Sequence, residues 1–209
     1  MISVYFHLYA AGAWQKPTRE FLDAMLESGL ADEAGYLNLG VVGPLGARLD
    51  AIDYCRSRMP TEVIAEANEG WEQVTLSALR QDAKGDAILY AHSKGAAFPS
   101  DWNDAWRRSL ILSVVSEWRE NLAVLETYDA VGCHWLTTAM TQPGMPQKFN
   151  FFGGNFWLAR ISVIRALPEP PVVLRFDAEA WLGMAGLTNV ADRTPGWPGY
   201  ASIRQEVRG

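Results

Sequence analysis

The sequence predicts an α/β protein built on a mostly parallel central sheet. Two patterns carry that prediction: short β-rich apolar runs alternate with helical patterns from the N-terminus onward, and the runs end at glycine, proline or asparagine. The segments between the runs are long enough for the crossovers that parallel neighbours need. A chain of 209 residues can bury a substantial core, and 1–209 is read as one domain.

Ile2 to Tyr9 reads as a buried first strand, followed by the small-residue loop Ala10-Ala11-Gly12-Ala13. Pro17 opens a helix with Phe21, Leu22, Met25 and Leu26 on one face, and Gly29 stops it. Tyr36 to Val42 is the second strand, ended by Gly43-Pro44-Leu45-Gly46. Leu49 to Arg58 forms a short helix ahead of Pro60, and Thr61 to Ala67 is the third strand despite its glutamates. Asn68-Glu69-Gly70 breaks that strand, Trp71 to Gln81 is helical, and Gly85-Asp86 turns the chain into the strand Ala87 to Tyr90.

Pro99-Ser100-Asp101 opens the longest helical pattern, in which Trp102, Trp106, Leu110, Val114, Trp118, Leu122 and Leu125 recur at helical spacing. Ala130 to Trp135 is a strand, Thr141 to Pro146 a loop, and Phe149 to Leu158 a strand broken by glycines. Ile161 to Leu167 and Ala178 to Met184 are short helices separated by Pro168-Glu169-Pro170-Pro171. The tail 190–209, rich in Pro, Gly and Arg, is expected to wrap over the site or to move freely.

A net charge of -6 argues against nucleic acid as a partner, since such binders show a basic face. A phosphorylated ligand would need a local cationic cluster. Cys55 and Cys133 have neither metal-site spacing nor the density of a disulfide scaffold, and the N-terminus lacks the basic region of a signal peptide. A cytoplasmic location follows as the expectation, and no apolar run reaches membrane-spanning length. Nine tryptophans offer faces for sugar rings, although large aromatics serve most often as core.

Two segments carry the chemistry. The apolar run Ala87-Ile88-Leu89-Tyr90 ends in His92-Ser93-Lys94-Gly95: an imidazole, a hydroxyl and an ammonium before a glycine that lets backbone amides come close to a phosphate. The competing reading is a turn in which His92 caps the strand and Lys94 is solvated. The second segment, Gly153-Gly154-Asn155 followed by Trp157, would put backbone and an amide beside a polyol, with the indole as a wall; a β-bulge at a tight strand pair explains it equally.

Around these, His7 and Tyr9 end the first strand, while Asn68, Trp71, Glu72 and Thr75 follow the third, at the edge where open α/β sheets bind ligands. They are read as donor contacts. Glu179 is the first choice for a base or acceptor contact and Asp177 the second, against the alternative of carboxylates that merely start a helix. Asp129 either orients the acceptor or ends a helix, and Trp181 joins the sugar contacts. His92 is a candidate for proton transfer or metal binding.

Taken together, these residues resemble a known family. His7, Ser28-Gly29-Leu30, Trp71-Glu72-x-x-Thr75-Leu76, Tyr90-x-His92-Ser93-Lys94-Gly95, Trp106-Arg107, Tyr128-Asp129-x-Val131-Gly132, Gly154-Asn155-Phe156-Trp157 with Ala159, and Glu179-x-Trp181 are similar to those of glycosyltransferase-like proteins of the GT-A type from bacteria, phages and algae. The likeness runs to about Leu182. It implies a three-layer GT-A sandwich that binds a nucleotide sugar, a UDP-sugar first among them, and transfers a hexose to the hydroxyl of a glycan, protein or small molecule. Such enzymes commonly hold Mn²⁺ or Mg²⁺ on an Asp-x-Asp pair after a central strand. No Asp-x-Asp occurs here, and His92-Ser93-Lys94 takes its place. A carbohydrate-binding or scaffold domain that lost its chemistry is the alternative reading, and a hydrolase would need paired carboxylates that Asp177 and Glu179, two apart on a helix, do not make.

Overall fold

β1 (Ile2–Tyr9) has parallel neighbours on both sides, so both faces of the sheet around it must be covered by helices. The computed structural model describes residues 1–137, 149–172 and 177–194. After β1 come α1 (Gln15–Glu27), α2 (Leu30–Ala34), β2 (Leu37–Val42), α3 (Leu45–Arg58), β3 (Thr61–Ala67), α4 (Gln73–Asp82) and β4 (Ala87–His92). α5 (Asp101–Leu110) runs into a π-helical segment (Ile111–Ser116) and α6 (Trp118–Val124). Then follow β5 (Ala130–Gly132), β6 (Trp135–Leu136), β7 (Phe151–Phe152), β8 (Trp157–Arg160), α7 (Ile161–Ala166), α8 (Asp177–Ala180), a 3₁₀ turn (Leu182–Ala185) and β9 (Val190–Asp192).

The main sheet has seven strands in the order β3-β2-β1-β4-β8-β5-β9, and β6 pairs with β7 beside it. β3, β2, β1 and β4 are mutually parallel, as are β5 and β9; β8 lies antiparallel between β4 and β5. The expected mostly parallel, three-layer α/β architecture is therefore what forms. Alternate residues of β1 serve opposite layers: Val4, Phe6 and Leu8 pack in the cluster containing α1, α3 and the π segment, while Tyr5 packs with Leu76 and Leu79 of α4 and Ile164 of α7.

Several boundaries differ from the sequence reading for identifiable reasons. α3 begins at Leu45, because Pro44 ends its extended stretch at the N-cap and needs no N–H there, so the supposed turn is the first helical turn. Leu26, assigned to the buried face of α1, is 41% exposed. The long helix from Trp102 to Leu125 is broken: the Glu117 N–H donates to Leu112 O, and the buried Asn121 amide donates 2.7 Å to Ser113 O. An amide in the apolar stripe thus takes up a carbonyl that the widened turn releases. His134, at φ 58°, splits the Ala130–Trp135 run into two strands, and Asn155, at φ 52°, splits Phe149–Leu158.

The tail is tied in where it is described. β9 pairs with β5, the Asp192 carboxylate accepts from His134 N and Trp135 N, and the Arg193 N–H donates to Gly132 O, so 190–194 is part of the sheet and not free. The remainder of the tail and the Thr141–Pro146 loop lie outside the described residues. Among those described, no helix is long and apolar enough to cross a membrane.

Gly40 fixes how closely α4 approaches. It pairs with His7 in the sheet, and a Cβ there would strike the Thr75 side chain. Gly40→Ala should therefore lower the free energy of urea unfolding by about 2–3 kcal/mol, the range of a forced core overlap; a loss within ~0.5 kcal/mol would mean that α4 yields without strain.

Candidate functional site

The chain lays down β1, β2 and β3 outward on one side, then returns to place β4 on the other side of β1. The strand order therefore reverses between β1 and β4, and a crevice opens beyond their carboxyl ends. His7 and Tyr9 line it from β1, Trp71 and Glu72 from the connection into α4, His92, Ser93, Lys94 and Gly95 from the end of β4, and Glu179 from α8. Sequence reasoning named all of these. It did not name Ala96, Ala97, Phe98 or Asn103, which complete the wall.

Glu72 is the hub of the crevice floor. Its Oε2 accepts from the Tyr90 hydroxyl at 2.9 Å and from Asn155 Nδ2 at 2.7 Å, and its Oε1 lies 3.4 Å from His92 Nδ1. The same Asn155 accepts from Trp157 Nε1 at 2.9 Å, and Trp157 stacks on Tyr90. Burial, reinforced by the Glu72 charge, holds the Tyr90 hydroxyl pKa well above its ordinary value, so it remains a donor.

The proton count at His92 follows from its partners. Gly154 O can only accept, so the Nε2 facing it at 2.9 Å carries a proton. That fixes one proton, and Nδ1 faces the Glu72 carboxylate at 3.4 Å. Both nitrogens thus face protein, which replaces the expectation that His92 donates to phosphate or shuttles a proton. What it gives the crevice is a brace between Glu72 and the Gly154 carbonyl.

The turn after β4 is held from behind. Ser93 Oγ accepts from Tyr9 N at 2.9 Å, which leaves its proton to give. Gly95 stands at φ 88°, a conformation that suits glycine, with Asn103 and Arg107 against the space a side chain would fill. Arg107, 1% exposed, donates 2.8 Å to the Lys94 carbonyl and 2.8 Å to Glu20, and pairs with Asp104, which also meets Lys16. The Lys94 ammonium lies 3.8 Å from the centroid of the Trp106 ring. Arg107, half of a sequence pair noted only for resemblance, is what sets this turn; an arginine within an apolar stripe was the available signal.

Other predicted contacts fall elsewhere. Asn68 accepts from Arg48 Nη2 at 3.1 Å, and Thr75 shares a 2.7 Å hydrogen bond with His7 Nδ1, beneath the crevice wall. Asp129 lies beside Arg160, whose strand position pairs with Ala87 at the start of β4, so it sits at the opposite edge of the sheet. Asn155, Trp157 and Trp181 are interior: the amide is committed to Glu72 and Trp157, and Trp181 Nε1 donates to Pro168 O. Gly153 and Gly154 make room for protein and not for sugar, since Cβ atoms there would press on Leu136 and on Leu110. Asp177 does not line the crevice, whereas Glu179 does and makes no hydrogen bond or ion pair among the described residues.

Among the described residues no three His, Cys, Asp or Glu side chains converge as a metal site. Mn²⁺ and Mg²⁺ favour oxygen donors, and the end of β4 offers an imidazole already bonded to Gly154 O, one hydroxyl and an ammonium, so this donor set does not fit them.

Residues 10–183 match the family described as Domain of unknown function (DUF8361), and the chain belongs to that family. No curated protein matches the sequence. Among solved structures the chain is similar to the mannosyltransferase PcManGT from Pyrobaculum calidifontis, in complex with GDP-Man and Mn²⁺, at TM-score 0.50 and 14% identity over 97% of this chain and 60% of that one. It is similar to S. aureus TarS at TM-score 0.52 and 10% identity over 91% of this chain and 34% of that one. Glucosyl-3-phosphoglycerate synthase from Mycobacterium tuberculosis, with Mn²⁺, UDP and glucosyl-3-phosphoglycerate, gives 0.49 and 11% over 99% and 77%. The chain spans 60% of the length of the first and about a third of the second. At such identities the likeness is one of fold, and the fold is that of GT-A glycosyltransferases.

Burial holds the His7 imidazole pKa down to about 4, with Glu72 opposing that shift and His92 adding to it. An unfolded histidine titrates near 6.5, so this contribution to stability is full above that pH and is lost as pH falls toward 4, because the unfolded chain binds a proton the native state refuses. At ~1.4 kcal/mol per pH unit the loss reaches roughly 3 kcal/mol. Urea unfolding from pH 7 to pH 4 should decline less steeply for His7→Asn than for the wild type. Equal slopes would assign the acid sensitivity to other groups.

Proposed function

We propose that this DUF8361 member is a glycosyltransferase that moves a hexose from a nucleotide sugar, a UDP-sugar in the first instance, to an acceptor hydroxyl. The observation that carries the reading is the meeting, in one crevice at the strand-order reversal, of the Lys94 ammonium, the Ser93 hydroxyl and the Glu179 carboxylate. The nucleoside lies toward Tyr9 and Trp71, and the diphosphate meets the Ser93 hydroxyl and the Lys94 ammonium.

As the acceptor oxygen bonds to the anomeric carbon, the bond from that carbon to the diphosphate oxygen breaks and the leaving group gains charge. The Lys94 ammonium and the Ser93 hydroxyl stabilise that charge. Glu179 takes the proton of the acceptor hydroxyl. Glu72 holds His92 in place and is not itself in reach of the reaction as a base, since Tyr90 and Asn155 occupy its Oε2. No step is routed through a metal, and the cationic corner supports a grip on diphosphate that is independent of divalent ions. The missing Asp-x-Asp pair also favours a second reading, a carbohydrate-binding domain without catalysis.

Calorimetry with UDP, GDP and their hexose conjugates, each with Mn²⁺ and with EDTA, separates these. The expected result is nucleotide binding that survives EDTA and weakens about tenfold or more in Lys94→Ala, as for loss of a charged hydrogen bond, with unchanged thermal unfolding. Glu179→Gln should lower kcat by roughly 10²-fold or more while leaving nucleotide affinity intact. Absence of binding to every nucleotide tested sinks the transferase reading, and sugar binding without nucleotide affinity establishes the second.

A further inference from the structure

Two large aromatic side chains are exposed on the walls of the crevice: Trp71, 45% exposed, on the connection from β3, and Phe98, 65% exposed, on the turn after β4. Trp71 stands on the half of the sheet that, in the transferase reading, holds the nucleoside. Phe98 stands on the other half, past Lys94.

The backbone that presents Phe98 is fixed. Its N–H donates to Gly95 O at 3.2 Å, its carbonyl accepts from Asn103 Nδ2 at 2.8 Å, and Asn103 is itself held by the N-cap Ser100, whose Oγ accepts from Asn103 N at 3.1 Å. An apolar ring without a polar tip thus keeps most of its surface exposed on a turn docked on the first turn of α5, where a ligand that covered that surface would recover hydrophobic area. Asn103, with Nδ2 committed to the turn, still has Oδ1 to accept a hydrogen bond, and the Glu179 carboxylate lines the same crevice. An aromatic face with two acceptors suits a pyranose, whose C–H face packs on a ring while its hydroxyls donate.

We propose that Phe98 and Asn103 form the acceptor subsite, and that the acceptor is a carbohydrate whose hydroxyl is delivered to Glu179. The proposal rests on the transferase reading and narrows its acceptor from any hydroxyl compound to a sugar. It also moves the sugar contacts from Asn155, Trp157 and Trp181, which are interior, to a wall that solvent reaches.

The test uses the full chain saturated with UDP, probed by saturation-transfer NMR with methyl glucoside, methyl mannoside and methyl galactoside and by a printed glycan array. At least one sugar is expected to bind, with affinity reduced about tenfold in Phe98→Ala and less in Phe98→Tyr, which keeps the ring. UDP affinity and thermal unfolding of both variants should match the wild type, because the side chain is at the surface. If UDP binds and no sugar does, or if Phe98→Ala leaves sugar affinity unchanged, the subsite is refuted while the transferase reading stands. If neither UDP nor sugar binds, both fall.

Discussion

A carboxylate half-buried at the edge of an α/β sheet must be surrounded by donors, and Glu72 meets that demand by gathering side chains from two elements. Tyr90 comes from β4, Asn155 from the turn before β8, and His92 from the end of β4. Removing one of those donors would leave a desolvated negative charge, which costs far more than the lost contact alone. The constraint explains why the diglycine segment runs where it does: β8 enters the sheet antiparallel to β4, so the residues just before it arrive at the carboxyl end of β4, where the charge sits. The antiparallel strand is thus as necessary to the crevice as the parallel ones.

α4 can deliver Glu72 to that point only because it approaches the sheet closely. Gly40 supplies the room, and Thr75 fills it while engaging His7. A single glycine in β2 therefore governs both the height of a helix and the hydrogen bond that helix makes to a buried imidazole. On the opposite face the same crevice depends on Arg107, which ties the turn after β4 to Glu20 of α1. The two layers meet at the site through different chemistry: a half-buried anion on one side and a buried cation on the other.

Much of this was legible in the residues. Alternating apolar runs disclosed the four parallel strands, because buried parallel strands are continuous in hydrophobicity, and their carboxyl ends located His7, Tyr9, His92 and Lys94. What failed to read was direction and depth. Asn155, Trp157 and Trp181 have the composition of a sugar site, and nothing local to the chain distinguishes an indole that faces solvent from one whose N–H finds a carbonyl in the interior. Asp129 was misplaced because one residue before a strand says nothing of which sheet edge that strand starts from. Phe98 and Asn103 went unnoticed since a phenylalanine in a polar turn carries no motif. The π segment was hidden by an apolar spacing that remains near-helical even where one extra residue enters the turn.

Arg107 grips the carbonyl of Lys94 and leaves its four-carbon stem untouched. The main chain at that residue therefore acts as a fixed pivot for a swinging charge. Rotation about side-chain bonds alone can move the ammonium relative to the Trp106 indole, so the reach of the charge changes while the loop backbone stays where it is.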